Sequence, residues 1–139
     1  MTRLLRTAIP ALEHSHWYVE AVEEGFCKSV LPLNETTTNQ HGTHQAALIS
    51  LSADYTGGLA LATLLRGVPL AGVHRCNDDE SASLWLASMN VKYSNPSTGH
   101  LTGVCRVDEE KASQIRNRYF GGNRVLVALN VEFYSNDDL

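Results

Sequence analysis

One stretch decides the fold: residues 44–66, which read HQAALISLSADYTGGLALATLLR. It is apolar enough for a long helix, and Gly67 and Pro69 end it just after a basic residue. Its length approaches that of a membrane span, but Asp54, two glycines and several hydroxyl residues interrupt it. We therefore predict a helix that is buried in protein.

Asp54 is the feature of this helix that points to chemistry. At about 100° per residue it lies at the centre of the apolar stripe, and no Lys, Arg or His stands three or four positions away. Burial without a cation raises the pKa of a carboxyl group, which suits it to move a proton near neutral pH. The alternative is a carboxylate that pairs with an arginine from elsewhere or with a buried hydroxyl. The predicted stripe comprises Ala47, Leu51, Gly58, Leu61 and Leu65.

The loop before the helix, residues 39–43, reads NQHGT and leads into Gln45 and two alanines. Unpaired backbone N–H groups at a helix start, beside the small Ala46 and Ala47, suit a carbonyl oxygen or an oxyanion. Asn39 and Gln45 add amide donors. The alternative is a loop that only caps the helix. His41 and His44 have no third ligand at a suitable spacing, so we expect neither a metal site nor a cofactor.

The remaining sequence predicts helices and an antiparallel sheet. Strands that follow one another at hairpin distance pair antiparallel, and the long helix needs such a sheet to cover it, so the fold class is α+β. Alternation and turn residues predict strands over 26–33, 83–93, 101–107 and 123–134, a helix from residue 2 broken at Pro10, a second helix over 11–24, and a polar helix over 109–119 capped by Asp108.

Composition limits the protein to one domain and a few classes. The 139 residues are 43% apolar, which is enough for one hydrophobic core. We therefore predict a single domain over 1–139, with a helical N-terminal segment over 1–24. Because the formal net charge is −4, we expect the protein to bind neither nucleic acid nor an anionic membrane surface. Three cysteines without a C-x-x-C spacing, and a start without a secretory signal, favour the cytoplasm.

From Asn39 to Asp54 the sequence resembles the hotdog-fold thioesterases, in particular the PaaI-like acyl-CoA thioesterase branch and its uncharacterised relatives. The pattern of that family is N-x-x-G-x-x-H-G-G-x(6)-D. Residues 89–93 and 99–103 also look like its strands, and the resemblance spans residues 25–133. It implies a hotdog fold, with a long central helix wrapped by a curved antiparallel sheet, in a homodimer or homotetramer whose sites lie at the subunit interface.

The resemblance also implies the hydrolysis of an acyl-CoA or a related acyl thioester. Asp54 falls on the catalytic carboxylate, as general base or nucleophile, and Asn39 on the asparagine that places the thioester or water. Ala46 and Ala47 fall on the two glycines, one of which donates a backbone N–H to the carbonyl oxygen. Gln45 stands where the family has histidine. We expect further substrate contacts from His41, Gly42, Ala47 and Gly58.

Two other functions remain open at this stage. The first is a hotdog protein that binds acyl groups or CoA without cleaving them, because Gln45 lacks the polarising ability of the family's histidine. The second, less favoured, is a hydratase or dehydratase of the same fold, which would need His41 or His44 beside an acid.

Overall fold

A computed structural model describes residues 1–65 and 84–135 of the chain. In chain order its elements are α1 (Thr2–Ala8), α2 (Pro10–Ser15), β1 (Tyr18–Glu23), β2 (Phe26–Leu31), α3 (Ala46–Ala62), β3 (Leu101–Arg106), α4 (Glu109–Phe120) and β4 (Glu132–Ser135). The four strands form one antiparallel sheet in the order β1-β2-β3-β4, and α3 packs against its central strands. The predicted α+β class is confirmed.

The N-terminal segment is helical over a shorter range than predicted. Pro10 takes the first position of α2, where its missing N–H costs nothing, and His16 ends the helix with a left-handed backbone at φ 58°. The prediction of a helix over 11–24 is therefore wrong beyond Ser15. Residues 18–23 form β1 instead, since pairing with β2 outweighs their local helical preference.

A tight hairpin joins β1 to β2. Gly25, predicted to end a helix, lies in this turn with φ +73°, a conformation that side chains disfavour. β2 and β3 then pair over six residues each, with Cys27 opposite Cys105 in the buried centre of the sheet. β3 confirms the strand predicted over 101–107 from alternation. β2 confirms the strand predicted over 26–33 from the turn residues at its ends, but it stops at Leu31, just before Pro32.

The helix α3 turns an unexpected face to the sheet. Its fully buried residues include Ser52, Thr56 and Ala60. The predicted stripe around Asp54 is less buried: Leu51, Leu61 and Leu65 are half-buried and pack against the core, Gly58 is half-buried, and Ala47 is exposed. The buried hydroxyls are satisfied: Trp17 Nε1 donates to Ser52 Oγ over 3.1 Å, and Thr56 Oγ1 lies 2.6 Å from Ser29 Oγ. Because these hydroxyl groups are hydrogen-bonded, this polar face of α3 can be buried against the sheet.

Two predicted strands differ from the structure. Residues 84–93 carry no strand and are mostly exposed, because an extended segment becomes a strand only beside a hydrogen-bonded neighbour, and none of the described residues supplies one. Of the predicted strand over 123–134, only β4 pairs, with β3. The alternation of that strand is nevertheless confirmed, since Val127, Leu129, Val131 and Phe133 pack against the core.

The last helix follows its prediction closely. Asp108 caps α4, and its side chain accepts a hydrogen bond from the backbone N–H of Lys111 over 2.8 Å. The long helix predicted over 44–66 is shorter in the structure, where α3 ends at Ala62 and residues 63–65 form a turn. Residues 66–83, which hold Cys76, lie outside the described residues. Within the described residues no helix is long and apolar enough to cross a membrane.

Candidate functional site

Asp54 lies at the midpoint of α3, on the face that is turned away from Ser52 and Thr56 (the outer face). The carboxyl group is half-buried, and within residues 1–65 and 84–135 it has neither a hydrogen bond nor an ion pair. Burial raises the pKa of Asp54 above its usual value. The pKa of the neighbouring Tyr55 hydroxyl is also raised, mainly by burial and in addition by the charge of Asp54. The predicted state of Asp54, partly desolvated without a cation, is what this geometry produces.

Gly58 leaves open space one turn beyond Asp54. A Cβ atom built at Gly58 would meet no atom of the described residues within 4 Å, whereas one built at the neighbouring Gly57 would lie 3.4 Å from Val131 Cγ2. Residues four apart share a helix face, so this space adjoins the carboxyl group. Among the described residues, the space next to these two glycines therefore lies on the Gly58 side, beside Asp54.

The start of α3 presents two unpaired donors. Gln45 is the N-cap residue; its backbone N–H donates to Thr37 O over 2.9 Å and its own carbonyl accepts from Leu48 N over 3.0 Å. The N–H groups of Ala46 and Ala47 have no partner among the described residues, and both alanines are exposed. These two N–H groups are free to donate to an acceptor on a ligand. The Gln45 side chain makes no capping bond and is exposed.

Asn39 uses its side chain to close the preceding loop. Its Nδ2 donates to Thr43 Oγ1 over 2.8 Å and to His44 O over 3.2 Å, and its Oδ1 accepts from His41 N over 2.9 Å. His41 and Gly42 lie exposed at the tip, where Gly42 has φ +74°. In this arrangement the Asn39 amide shapes the loop, and contact with a substrate would require it to exchange partners.

His44 is a buried structural histidine. Its Nε2 lies 3.0 Å from Leu31 O and 3.1 Å from Pro32 O, so this nitrogen carries the proton, while Nδ1 accepts from Ser97 Oγ over 2.8 Å. Burial lowers the pKa of the imidazole, which keeps it neutral. His44 therefore ties the loop to the end of β2 and does not take the place of the histidine that Gln45 replaces.

Tyr93 and Ser50 are site neighbours that the sequence analysis missed. The Tyr93 hydroxyl donates to Ala46 O over 3.2 Å and lies 3.3 Å from Ser50 Oγ. Ser50 stands one turn before Asp54 on the same outer face, which a helical wheel alone would have revealed. Tyr93 follows 43 residues after Ser50, and no local pattern links the two.

The unpaired N–H groups at the start of α3 are far from Asp54 within one chain. Ala46 and Asp54 are eight positions apart along α3, and at 1.5 Å per residue this is about 12 Å. A single carbonyl carbon must lie about 3 Å from both an attacking water and its oxyanion donors. One chain therefore cannot bring its own helix start and its own Asp54 to the same carbonyl group.

Other features of the described residues offer no competing site. No group of three or more His, Cys, Asp or Glu residues there could hold a metal ion. Arg116 forms ion pairs with Glu24 and Glu109. The two best-formed surface depressions, one along α1 and α2 and one beside residues 34–36, include none of the predicted site residues.

Three solved structures share this fold. A Pseudomonas aeruginosa protein of unknown function, described as a probable thioesterase, matches with a TM-score of 0.77 at 17% identity, over 98% of this chain and 83% of that one. A Chlorobaculum tepidum protein of unknown function matches with 0.72 at 17% identity, over 97% and 79%. A thioesterase family protein from Silicibacter pomeroyi matches with 0.59 at 18% identity, over 76% and 68%.

No protein-family model and no curated protein matches the sequence. The structural matches establish the fold across nearly the whole chain, while their identities of 17–18% are too low to carry over an activity. The long central helix on an antiparallel sheet, preceded by short helices, is thus the hotdog fold that the sequence resemblance implied.

Proposed function

We propose that this protein is a thioesterase that hydrolyses an acyl-CoA or a related acyl thioester, with Asp54 as the general base. The observation that carries the proposal is a half-buried carboxyl group of raised pKa, without a cation among the described residues, beside the open space at Gly58. The names of two structural neighbours, a probable thioesterase and a thioesterase family protein, agree with it. Assignment to the PaaI-like branch rests on the motif from Asn39 to Asp54 alone.

The proposed reaction consumes one water molecule. Asp54 takes a proton from water while the water oxygen bonds to the thioester carbon, and backbone N–H groups hold the resulting oxyanion. The tetrahedral intermediate then collapses, the carbon–sulfur bond breaks, and the proton passes from Asp54 to the leaving sulfur. A carboxylic acid and a thiol are released, and Asp54 is ionised again for the next cycle.

The donors to the oxyanion would come from a second copy of the chain. Because about 12 Å separates Ala46 from Asp54 along one helix, we place Asp54 of one protomer against the first turn of α3 in its partner. An isologous dimer forms two such sites at once and covers the half-buried outer face of α3. Gln45 would lie at this seam, and His41, Gly42 and Ala47 would contact the substrate. A homotetramer and a cytoplasmic location stay predictions.

Asp54→Asn tests the proposal directly. The substitution keeps the size of the side chain and removes the base, so we expect thiol release from acyl-CoA substrates to fall at least about 100-fold. The assay follows free thiol with a chromogenic disulfide across short, long and aromatic acyl chains. Glu13→Gln, which removes an exposed carboxylate from α2, is the matched control and should leave the rate unchanged.

A non-catalytic acyl-binding protein is the second candidate. The replacement of the family's histidine by Gln45, and the use of the Asn39 amide within its own loop, both favour it. Wild-type protein that binds acyl-CoA yet releases thiol no faster than Asp54→Asn would establish this alternative and overturn the thioesterase proposal. Hydration of an enoyl thioester by the wild type would instead support the hydratase.

A further inference from the structure

Tyr93 connects a segment without regular structure to the first turns of α3. Residues 84–90 before it are exposed, and the Tyr93 side chain is itself 53% exposed, so burial alone does not hold it in place. Its hydroxyl group nevertheless makes two contacts, with Ala46 O over 3.2 Å and with Ser50 Oγ over 3.3 Å. These hydrogen bonds place a phenol on the same outer face as Asp54.

Tyr93 and Ser50 have one hydroxyl proton each, and the way these protons are used leaves Ser50 Oγ free to accept a hydrogen bond. A phenol has one proton, which Tyr93 donates to the carbonyl of Ala46. Ser50 therefore donates its own proton to the Tyr93 oxygen, and the lone pairs of Ser50 Oγ are directed to other donors. Tyr93 thus fixes the direction in which Ser50 donates and accepts.

Ser50 and Asp54 are spaced for one bridging water. Residues four apart on a helix have Cβ atoms about 5–6 Å apart, and side chains lean toward the N-terminus, so Asp54 leans toward Ser50. A water molecule that donates one hydrogen bond to each side chain, with lengths of about 2.8 Å, fits this spacing. The open space at Gly58 lies on the opposite side of Asp54 and remains for the acyl thioester.

We propose that Tyr93 and Ser50 form a positioning pair that holds the water molecule from which Asp54 takes a proton. The inference rests on the proposed thioesterase function and adds to it two residues, one of them outside the helix. Tyr93 acts through Ser50 and touches neither the substrate nor the water. If both act as one unit, removal of either should have the same effect as removal of both.

The kinetic test compares Tyr93→Phe, Ser50→Ala and the double variant. We expect kcat to fall about fivefold to tenfold in each single variant, with KM within about twofold, because one ordered hydrogen bond is lost and the thioester still binds. The double variant should be no slower than the slower single one. Tyr18→Phe removes an exposed phenol from β1 and should match the wild type. Multiplying effects in the double variant, or unchanged kcat in Tyr93→Phe, would overturn the pairing.

A titration of the Asp54 carboxyl carbon by NMR gives a readout that does not need activity. The held water donates to the ionised carboxylate, so its loss in Tyr93→Phe and Ser50→Ala should raise the pKa of Asp54 further, and Tyr18→Phe should not. If wild-type protein hydrolyses no thioester but the titration moves, the thioesterase proposal fails and the water-holding pair stands. If wild type hydrolyses thioesters but neither kcat nor the titration responds to Tyr93→Phe, only the pair fails.

Discussion

The two faces of α3 differ in burial in a way that hydropathy does not predict. The inner face presents hydroxyls to the sheet, and Ser52 and Thr56 are fully buried with hydrogen bonds to Trp17 and Ser29. The face that carries Asp54 is only half-buried, and Leu51 and Leu61 on it pack against the core. Burying a polar group costs little free energy where the group has a hydrogen-bond partner, whereas the half-buried face around Asp54 is accessible to a ligand or a second chain. The inner face should therefore govern stability and the outer face activity.

The largest effect that separates the two faces is expected at Asp54, through the loss of thiol release proposed above. The next is expected from Ser52→Ala. This change leaves the buried indole N–H of Trp17 without its acceptor, and we expect the free energy of unfolding to fall by about 1–3 kcal/mol. Denaturant titration measures it. Activity at low temperature should be retained.

Ser50→Ala is the matched control on the outer face, two residues away, and should change the free energy of unfolding by less than about 0.5 kcal/mol. A destabilisation by Ser50→Ala as large as that by Ser52→Ala would show that the two faces do not divide the work in this way.

A smaller effect is expected from the adjacent glycines. Gly57→Ala and Gly58→Ala each remove a helix-interior glycine, which gains up to about 1 kcal/mol of helix stability. The new methyl at position 57 meets Val131 Cγ2, while the one at position 58 enters the open space beside Asp54. We therefore expect Gly58→Ala to raise KM for the thioester and Gly57→Ala to leave KM unchanged. Equal KM values in the two variants would place the substrate elsewhere.

The smallest effect concerns the pH dependence of stability. A carboxyl group whose pKa is raised in the folded state binds its proton more tightly there, so folding is penalised as the pH rises from the usual Asp pKa through the raised one. Asp54→Asn removes this penalty. At pH 7 the variant should be at least as stable as the wild type, and the difference should shrink on acidification below the usual Asp pKa. Thermal melts from pH 3 to pH 7 measure it, and a variant clearly less stable at pH 7 would reveal a partner for Asp54.

Local patterns predicted the elements whose signals are local. The cap at Asp108, the break at Pro10, the turn residues that bound β2 and the alternation of β3 are all local signals, and each prediction made from them is confirmed. β1 was missed because its sequence, YVEAVE, contains good helix formers and becomes a strand only through pairing with β2.

The candidate site likewise contains residues that local patterns reveal and residues that they do not. Asp54 could be found because a charge within an apolar stretch breaks the pattern, and the spacing from Asn39 agreed with a known motif. The direction of the stripe could not be predicted, since hydropathy does not reveal that Trp17 and Ser29 satisfy the hydroxyls of α3. Tyr93 reaches the site through contacts that no spacing along the chain encodes.

The central claim is that Asp54 of one chain and the first turn of α3 of another complete one site. Ala46→Pro removes the backbone N–H at the first helical position, where proline is tolerated and the extended backbone of Gln45 suits a following proline. Asp54→Asn and Ala46→Pro should each be nearly inactive and remain folded by circular dichroism.

Equal amounts of the two variants, refolded together, are the decisive sample. Random pairing yields mixed dimers that contain one intact site, and about a quarter of the wild-type rate of thiol release should return. A mixture no more active than its separate components, although light scattering shows a dimer, would contradict the shared site.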